Sequence, residues 1–234
     1  MHSYIAIQNT YDIFEMALFI NNELVDHVHE DKRHTSKMFI PLLDQLCTRN
    51  NINFSDVSFC AVNCGPGPFS TLRSIIASVN GLRAATNIPL IGIDGLDATF
   101  LEFYDNTYQN TVVLLNAFNN EVYYLIFTPS TLGFDGDPKK EVRTAVKGYK
   151  KIDAFLEHIK HTYSAPVNFV GNGVSLHQDL IKNLLGANAV LADPIPEFCS
   201  IKTIAYMGLQ AFKANNYTND YLIPLHLKKH AVEL

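Results

Sequence analysis

The sequence predicts an α/β fold of two lobes, each with a mixed sheet whose faces carry helices. Three observations support this prediction. The chain of 234 residues is long enough for one large domain or two small ones. It begins with three predicted strands, after which helices alternate with strands. A second strand hairpin starts near residue 111, which hints at two halves of similar layout.

The first predicted lobe, residues 1–104, opens with a meander of three strands. Asn21-Asn22 joins the second strand to the third, and such a pair is typical of a tight hairpin turn. The predicted strands of this lobe are 4–8, 14–20, 23–30, 57–63 and 90–93, and its predicted helices are 35–49 and 69–86. A meander followed by this alternation is the layout of an actin-like (ASKHA) half-domain.

The second predicted lobe, residues 105–234, follows the turn-forming run Tyr104-Asp105-Asn106-Thr107. Its predicted strands are 111–116, 121–128 and 167–170, and an extended segment at 222–227 ends it. Glycines and prolines at 129–138 predict an exposed loop. The helix predicted at 200–214 can pack back at the hinge between the lobes.

Composition and charge argue against several classes of protein. The net charge of −5 disfavours a chain that coats nucleic acid by itself, because phosphate binding needs a basic surface. The four cysteines form no CxxC pair, so buried free thiols are expected. No basic leader precedes an apolar run, and no stretch reaches membrane-spanning length. We therefore expect a cytoplasmic protein without membrane contact.

A strand meets a helix at residues 63–70 through a turn of glycine and proline. Gly65 and Gly67 permit a sharp turn, and the first N–H groups of the helix are left without partners. Because this end of a helix is electropositive, Gly65, Gly67 and Ser70 are candidates for contact with an anion or nucleotide. A purely structural turn is the alternative, since no Gly-Lys-Ser/Thr follows and Pro68 has no N–H.

The same turn, GPGPFSTLR at 65–73, resembles the GPGSFTGLR signature of the TsaB (YeaZ) family. Weaker matches to that family's motifs follow in the expected order along nearly the whole chain. They lie at 5–10, at His34 with 42–43, at 89–93, at 116–123, at 171–173 and at 224–228.

The resemblance implies a two-lobed actin-like protein that serves the synthesis of N6-threonylcarbamoyladenosine at position 37 of tRNAs reading ANN codons. It implies a non-catalytic scaffold or activator that pairs with a TsaD-type transferase and is joined by a TsaE-type ATPase. The chain would reach tRNA indirectly and could form a homodimer when alone. No cofactor is expected in this chain by itself, whereas ATP or ADP could sit at the interface of the complex.

In this family two helices of the first lobe form the partner interface. The resemblance therefore assigns 35–49 and 69–86 to that role, and apolar helix surface in excess of what one lobe buries also marks a contact. Burial in the lobe's own core is the alternative. The candidate interface residues are His34, Met38, Leu42, Phe69, Leu72, Arg73, Ile76 and Val79.

Three positions argue against catalysis. The enzyme sibling carries His-x-x-x-His on a helix to hold a metal, and alignment on 89–93 places Gly95 and Thr99 there. Kinases and ATPases of this fold end the first strand with an aspartate that holds Mg²⁺, whereas this chain has Gln8. We therefore predict that the chain has neither catalytic nor metal-binding residues.

Gln8 also departs from the TsaB pattern itself, as do Pro68 for Ser, Thr71 for Gly and Asn116 for Asp. These departures argue against direct nucleotide binding and bear less on helix packing. A small ATP-binding enzyme of this fold, kinase-like or peptidase-like, is the alternative function. No His-Glu-x-x-His and no nucleophile elbow supports it.

Two further clusters have simple interpretations. His27 and His29 share one face of a strand and could seed a zinc site, but solvated edge histidines are favoured. The basic run at 139–151 could touch tRNA phosphates, but a solvated surface is favoured.

Overall fold

The computed structural model describes residues 3–129, 145–218 and 220–228 and divides the chain into two compact units. The first unit comprises 1–95 with 200–225, and the second comprises 96–199 with 226–234. The division falls earlier than the predicted boundary at 104, because Leu96 and Phe100 pack in the core of the second unit. None of the described helices is both long and apolar enough to cross a membrane.

The first unit is built on a five-stranded sheet in the order β3-β2-β1-β4-β5. Its strands are β1 (Ser3–Asn9), β2 (Ile13–Ile20), β3 (Glu23–Asp31), β4 (Cys60–Asn63) and β5 (Leu90–Ile93). Its helices are α1 (Thr35–Arg49), α2 (Phe69–Thr86) and α6 (Ile201–Lys213). The first three strands are antiparallel, and β4 and β5 continue the sheet in parallel with β1. Asn21 and Asn22 both have positive φ, as the predicted hairpin turn requires.

Helices α1 and α2 cover one face of this sheet. Alternate residues of the central strands, such as Ile5 and Ile7, point to this face and meet the apolar stripes of both helices. The core members from the two helices include Phe39, Leu42, Leu43, Leu46, Leu72, Ile75, Ile76 and Val79. The spacing of three and four residues that predicted the two helices therefore also predicts the face that each buries.

Helix α6 packs on β1 and β4 across the opposite face. A Cβ atom at Gly208 would lie 2.3 Å from the Cβ of Ala61, so only glycine allows this approach of helix to sheet. Rings of Tyr4, Phe59 and Phe212 stack beside it, with centroids 4.6 Å apart in each neighbouring pair. The helix predicted at 200–214 thus returns to the first unit and packs on its sheet.

The second unit repeats this layout around a sheet in the order β10-β9-β6-β7-β8. Its strands are β6 (Asn110–Asn116), β7 (Glu121–Phe127), β8 (Val146–Lys151), β9 (Val167–Val170) and β10 (Ala189–Leu191). Its helices are α3 (Gly95–Phe103, of which only Gly95 belongs to the first unit), α4 (Ile152–Thr162) and α5 (Asn172–Leu185). Each unit has three antiparallel strands followed by two parallel ones, which confirms the predicted actin-like fold class.

Several elements were not predicted. The sequence analysis missed α3, α4, α5, β8 and β10, and it began β4 three residues too early. The extended segment at 222–227 forms no strand among the described residues. Most of the predicted loop at 129–138, and Lys139, Lys140 and Arg143 of the basic run, lie outside the described residues. The remaining lysines of that run lie on or at the end of β8.

Candidate partner-binding face

Helices α1 and α2 pack side by side on the sheet, so their outward sides form one surface. Thr35 opens α1 and donates its hydroxyl to the carbonyl of Lys32 at 2.8 Å. Pro68 precedes α2 without capping it through a side chain. We call the outward surface of 32–49 and 69–86 the two-helix face.

Half of the predicted interface residues lie in the core instead of on this face. Leu42, Leu72, Ile76 and Val79 are between 1% and 6% exposed and pack against the sheet. This corrects their assignment, because a stripe at helical spacing fits a core and an interface equally well. The sequence left this alternative open.

The other four predicted residues reach the surface. His34 and Arg73 are exposed, Phe69 is 50% exposed, and Met38 is half-buried. The guanidinium of Arg73 lies 3.7 Å from the centroid of the Phe69 ring, a cation–π contact that holds both side chains at the start of α2.

Further members of the two-helix face were missed in the sequence. Ile40 is 55% exposed although it is apolar. Along α2, the small residues Ala77, Gly81 and Ala84 are exposed, and nothing lies within 4 Å of a Cβ built on Gly81. Ile40 carried a usable signal, because an apolar residue outside the core stripe of a helix has no core to enter.

A groove of about 460 Å³ lies where the first turns of α1 and α2 approach each other. It is lined by Lys32, Arg33, Ser36, Pro68, Ser70, Thr71 and Ser74. Lys32 donates to the carbonyl of Tyr11, and Arg33 forms a two-point ion pair with Asp31. Hydrogen bonds from Arg33 hold the pKa of the Asp31 carboxyl below its usual value.

The three predicted anion contacts differ in how accessible they are to a ligand. The N–H of Gly65 donates to Oδ1 of Asn63 at 2.9 Å, and its carbonyl accepts from Gly95 at 2.7 Å. Gly65 is also buried, so its N–H is not available to an anion, which corrects that assignment. Gly67 faces open space, and Ser70 is exposed in the groove.

Gln8 stands where the sequence analysis expects the magnesium-binding aspartate of a kinase or ATPase of this fold. It is 1% exposed, and both ends of its amide are bonded within the sheet. Its Nε2 donates to Oε1 of Glu15 at 3.0 Å, and its Oε1 accepts from Asn63 at 3.1 Å. Glu15 in turn lies 2.8 Å from Nε2 of His27. These side chains cross four strands as one ladder, so they do not fit a group that would need free oxygen ligands at Gln8.

Gly95 and Thr99, the positions that the sequence analysis aligns with two metal-binding histidines, have no space for such side chains either. A Cβ atom at Gly95 would lie 2.9 Å from Oδ1 of Asn63 and 3.1 Å from the carbonyl of Gly65, which leaves no room for an imidazole. Thr99 is 2% exposed. Across 3–129, 145–218 and 220–228, no three His, Cys, Asp or Glu side chains are grouped to hold a metal ion.

Comparison with known proteins adds independent findings. The family model described as "TsaD: tRNA N6-adenosine threonylcarbamoyltransferase" matches residues 25–224. A protein of Haemophilus influenzae named "tRNA threonylcarbamoyladenosine biosynthesis protein TsaB" is 25% identical over 122 residues, which is 51% of each chain. The protein of the same name from Escherichia coli K12 is 24% identical over 92 residues, 39% of this chain and 40% of its own. The chain thus spans about half the length of the curated relatives it matches, or less.

A solved structure resembles nearly the whole chain. "YeaZ from Pseudomonas aeruginosa" covers 97% of this chain and 100% of its own, with a TM-score of 0.70 and 16% sequence identity. At this identity the likeness concerns the fold.

Proposed function

Because the chain belongs to the TsaD family, and within it to the TsaB (YeaZ) proteins, we propose that it is a non-catalytic subunit in the synthesis of N6-threonylcarbamoyladenosine in tRNA. In this role it pairs with a TsaD-type transferase and activates it. The modified position is position 37 of tRNAs that read ANN codons, and the chain works in the cytoplasm.

The packing at Gly95 carries the non-catalytic part of this proposal. Asn63 and Gly65 fill the space that a histidine at 95 would need, and the adjacent Gln8 is bonded at both ends of its amide. The transferase chemistry therefore belongs to the partner. A kinase-like or peptidase-like activity has no supporting feature among the described residues.

The two-helix face supports the pairing. Ile40 and Phe69 expose about half of their surface, and small residues line the outward side of α2. Helices with small outward residues allow a close approach of partner helices, while exposed aromatic rings are frequent anchors of interfaces. A TsaE-type ATPase, indirect contact with tRNA, and ATP or ADP at the interface of the complex are further parts of the proposal.

Reconstitution of the modification tests this role. The purified chain is mixed with the TsaD-type transferase of the same organism, the other pathway proteins, threonine, bicarbonate, ATP and unmodified tRNA. Formation of the modified nucleoside is followed by mass spectrometry with and without the chain. We expect product only when the chain is present, and no ATP turnover by the chain alone. ATP turnover by the chain alone would favour the enzyme alternative.

A pair of matched variants links the activity to the two-helix face. Phe69→Asp should abolish both complex formation and product, because it places a charge at the anchor of the face. Leu176→Asp on α5 is the control, since Leu176 is a similarly exposed apolar residue at 58% exposure in the other unit. Equal effects of the two variants would contradict the pairing through α1 and α2.

A further inference from the structure

A second groove lies on the face of the first unit's sheet that α6 covers, opposite to α1 and α2. It is bounded by the β2–β3 hairpin on one side and by α6 on the other, and its volume is about 410 Å³. Sites for small molecules have volumes of roughly 300–1,000 Å³. The proposed function does not use this groove, which we call the α6 groove.

The floor of the α6 groove is aromatic and rigid. Tyr4 and Phe19 are partners across β1 and β2, and their rings stack with centroids 5.3 Å apart. Both are well buried, and Phe59 stacks on the other side of the Tyr4 ring. Leu24 and Leu209 add apolar walls from the hairpin and from α6. A large apolar or flat group can therefore pack on this floor.

The hydroxyl of Tyr4 lacks a partner inside the protein. Tyr4 is 2% exposed, yet its hydroxyl forms no hydrogen bond with any residue that the structure describes. Buried tyrosine hydroxyls are usually hydrogen-bonded, because an unsatisfied one costs free energy. Burial raises the pKa of this hydroxyl, so it stays neutral and can donate or accept. A polar group of a ligand in the groove would supply the missing partner.

Two opposite charges stand at the opening of the groove. Glu23 lies on the hairpin, Lys202 lies in the first turn of α6, and both side chains are exposed and line the groove. Neither forms an ion pair with the other or with any other residue of 3–129, 145–218 and 220–228. Both charges are therefore available to a ligand that carries one charge of each sign.

We propose that the α6 groove binds a free amino acid with a large apolar side chain. The carboxylate of Glu23 accepts from the ligand's ammonium group, Lys202 donates to its carboxylate, and the apolar side chain packs on Tyr4 and Phe19. A nucleotide suits the groove less well, because Glu23 repels its phosphates. The interior of a peptide carries neither terminal charge. This inference is independent of the proposed function.

Fluorescence of L-tryptophan provides a direct binding assay. The chain contains no tryptophan, so indole fluorescence, excited where tyrosine does not absorb, comes from the added ligand alone. We expect saturable binding with a dissociation constant below about 1 mM. Unlabelled L-phenylalanine should compete, whereas free glycine should not, because glycine has no side chain to pack on the aromatic floor.

Ligands that lack one charge identify the two charged contacts. Tryptamine has no carboxylate, so Lys202→Met should weaken binding of L-tryptophan by about fivefold and leave binding of tryptamine unchanged. Indole-3-propionate has no ammonium group, so Glu23→Gln should weaken binding of L-tryptophan by a similar factor and leave binding of indole-3-propionate no weaker.

Two further variants separate the groove from its surroundings. Lys213→Met makes the same substitution at an exposed position of α6 outside the groove and should not change binding. Tyr4→Phe removes only the hydroxyl and should weaken binding of L-tryptophan by about fivefold. Its melting temperature should not fall, because the hydroxyl has no partner within the protein to lose.

The possible results differ clearly. Loss of L-tryptophan binding in the three groove variants, with the expected response to tryptamine and indole-3-propionate, would support the site and the ligand class. Absence of saturable binding of both L-tryptophan and L-phenylalanine would overturn the ligand class. Binding that none of the three groove variants weakens would place the ligand elsewhere and overturn the site. An equal loss of L-tryptophan and tryptamine binding in Lys202→Met would overturn the charge match.

Discussion

The variant Ile76→Asp tests whether Ile76 belongs to the core of the first unit or to the two-helix face. Ile76 is 3% exposed and lies among apolar side chains of the first unit's core. The substitution removes a buried isoleucine, worth roughly 1.5–3 kcal/mol, and leaves a carboxyl group that must be buried without a partner. Together these effects should lower the free energy of unfolding by about 3–5 kcal/mol. A domain has roughly 5–15 kcal/mol in total, so much of the stability of this unit would be lost.

Urea unfolding followed by circular dichroism measures this loss, with association to the transferase measured in parallel. Ile76→Val, which keeps the apolar character, should cost about 0.5–1.5 kcal/mol and leave association intact. Phe69→Asp should show the opposite pattern, with nearly unchanged stability and lost association, because its side chain is half exposed. A stable Ile76→Asp protein that has lost only its partner would refute the assignment of Ile76 to the core.

Three other substitutions or reactions test the described contacts. Asn80→Ala should lower the free energy of unfolding by about 1–3 kcal/mol in urea, because Asn80 forms two hydrogen bonds with the backbone of Leu222. Its side chain donates to the carbonyl of Leu222 at 3.0 Å and accepts from the N–H of Leu222 at 2.9 Å. The control Asn80→Asp keeps only the acceptor and should cost part of this free energy. Gly95→His should lower the melting temperature, because the Cβ of the new side chain would press on Asn63. Calorimetry should detect no zinc binding by this variant. Zinc binding with unchanged stability would contradict the close packing around Gly95. Burial raises the pKa of the Cys60 thiol to about 12, so iodoacetamide at about pH 8 should modify it only after unfolding, and rapid modification of the native protein would contradict its burial.

The candidate site was predictable in its location and less so in its members. The sequence indicated α1 and α2 and the turn before α2, and it named Phe69 and Arg73. It could not tell that Leu42 and Leu72 enter the core, because the outward and inward sides of a helix are defined only by what covers them. Nor could the sequence show that the N–H of Gly65 is already bonded to the side chain of Asn63 and is therefore not available to an anion.

The elements of the fold likewise divide into those that local pattern predicted and those that it did not. Local pattern alone determined β1 to β3 with their Asn21-Asn22 turn, the bounds of α1 and α2, and β5, because hydrophobic period and turn chemistry act over a few residues. Local pattern did not predict β8, because its lysines and Gly148 are typical of a loop. In the structure β8 pairs with β7, and the ring of Tyr124 on β7 covers Gly148.

Long-range contacts decided the rest. Only the tertiary structure shows that α6 returns to the first unit, because the space for it is made by Gly208 against Ala61 in a strand far away in sequence. Likewise, Gln8, Glu15, Asn63 and His27 are unremarkable polar residues in the sequence, and strand pairing alone brings them into one hydrogen-bonded ladder. The sequence by itself determined the elements with a strong local pattern, namely β1 to β3, α1, α2 and β5. Which of those residues face a core, a neighbouring side chain or a partner depends on strand order and helix packing, since burial is a property of the assembled chain and not of any segment.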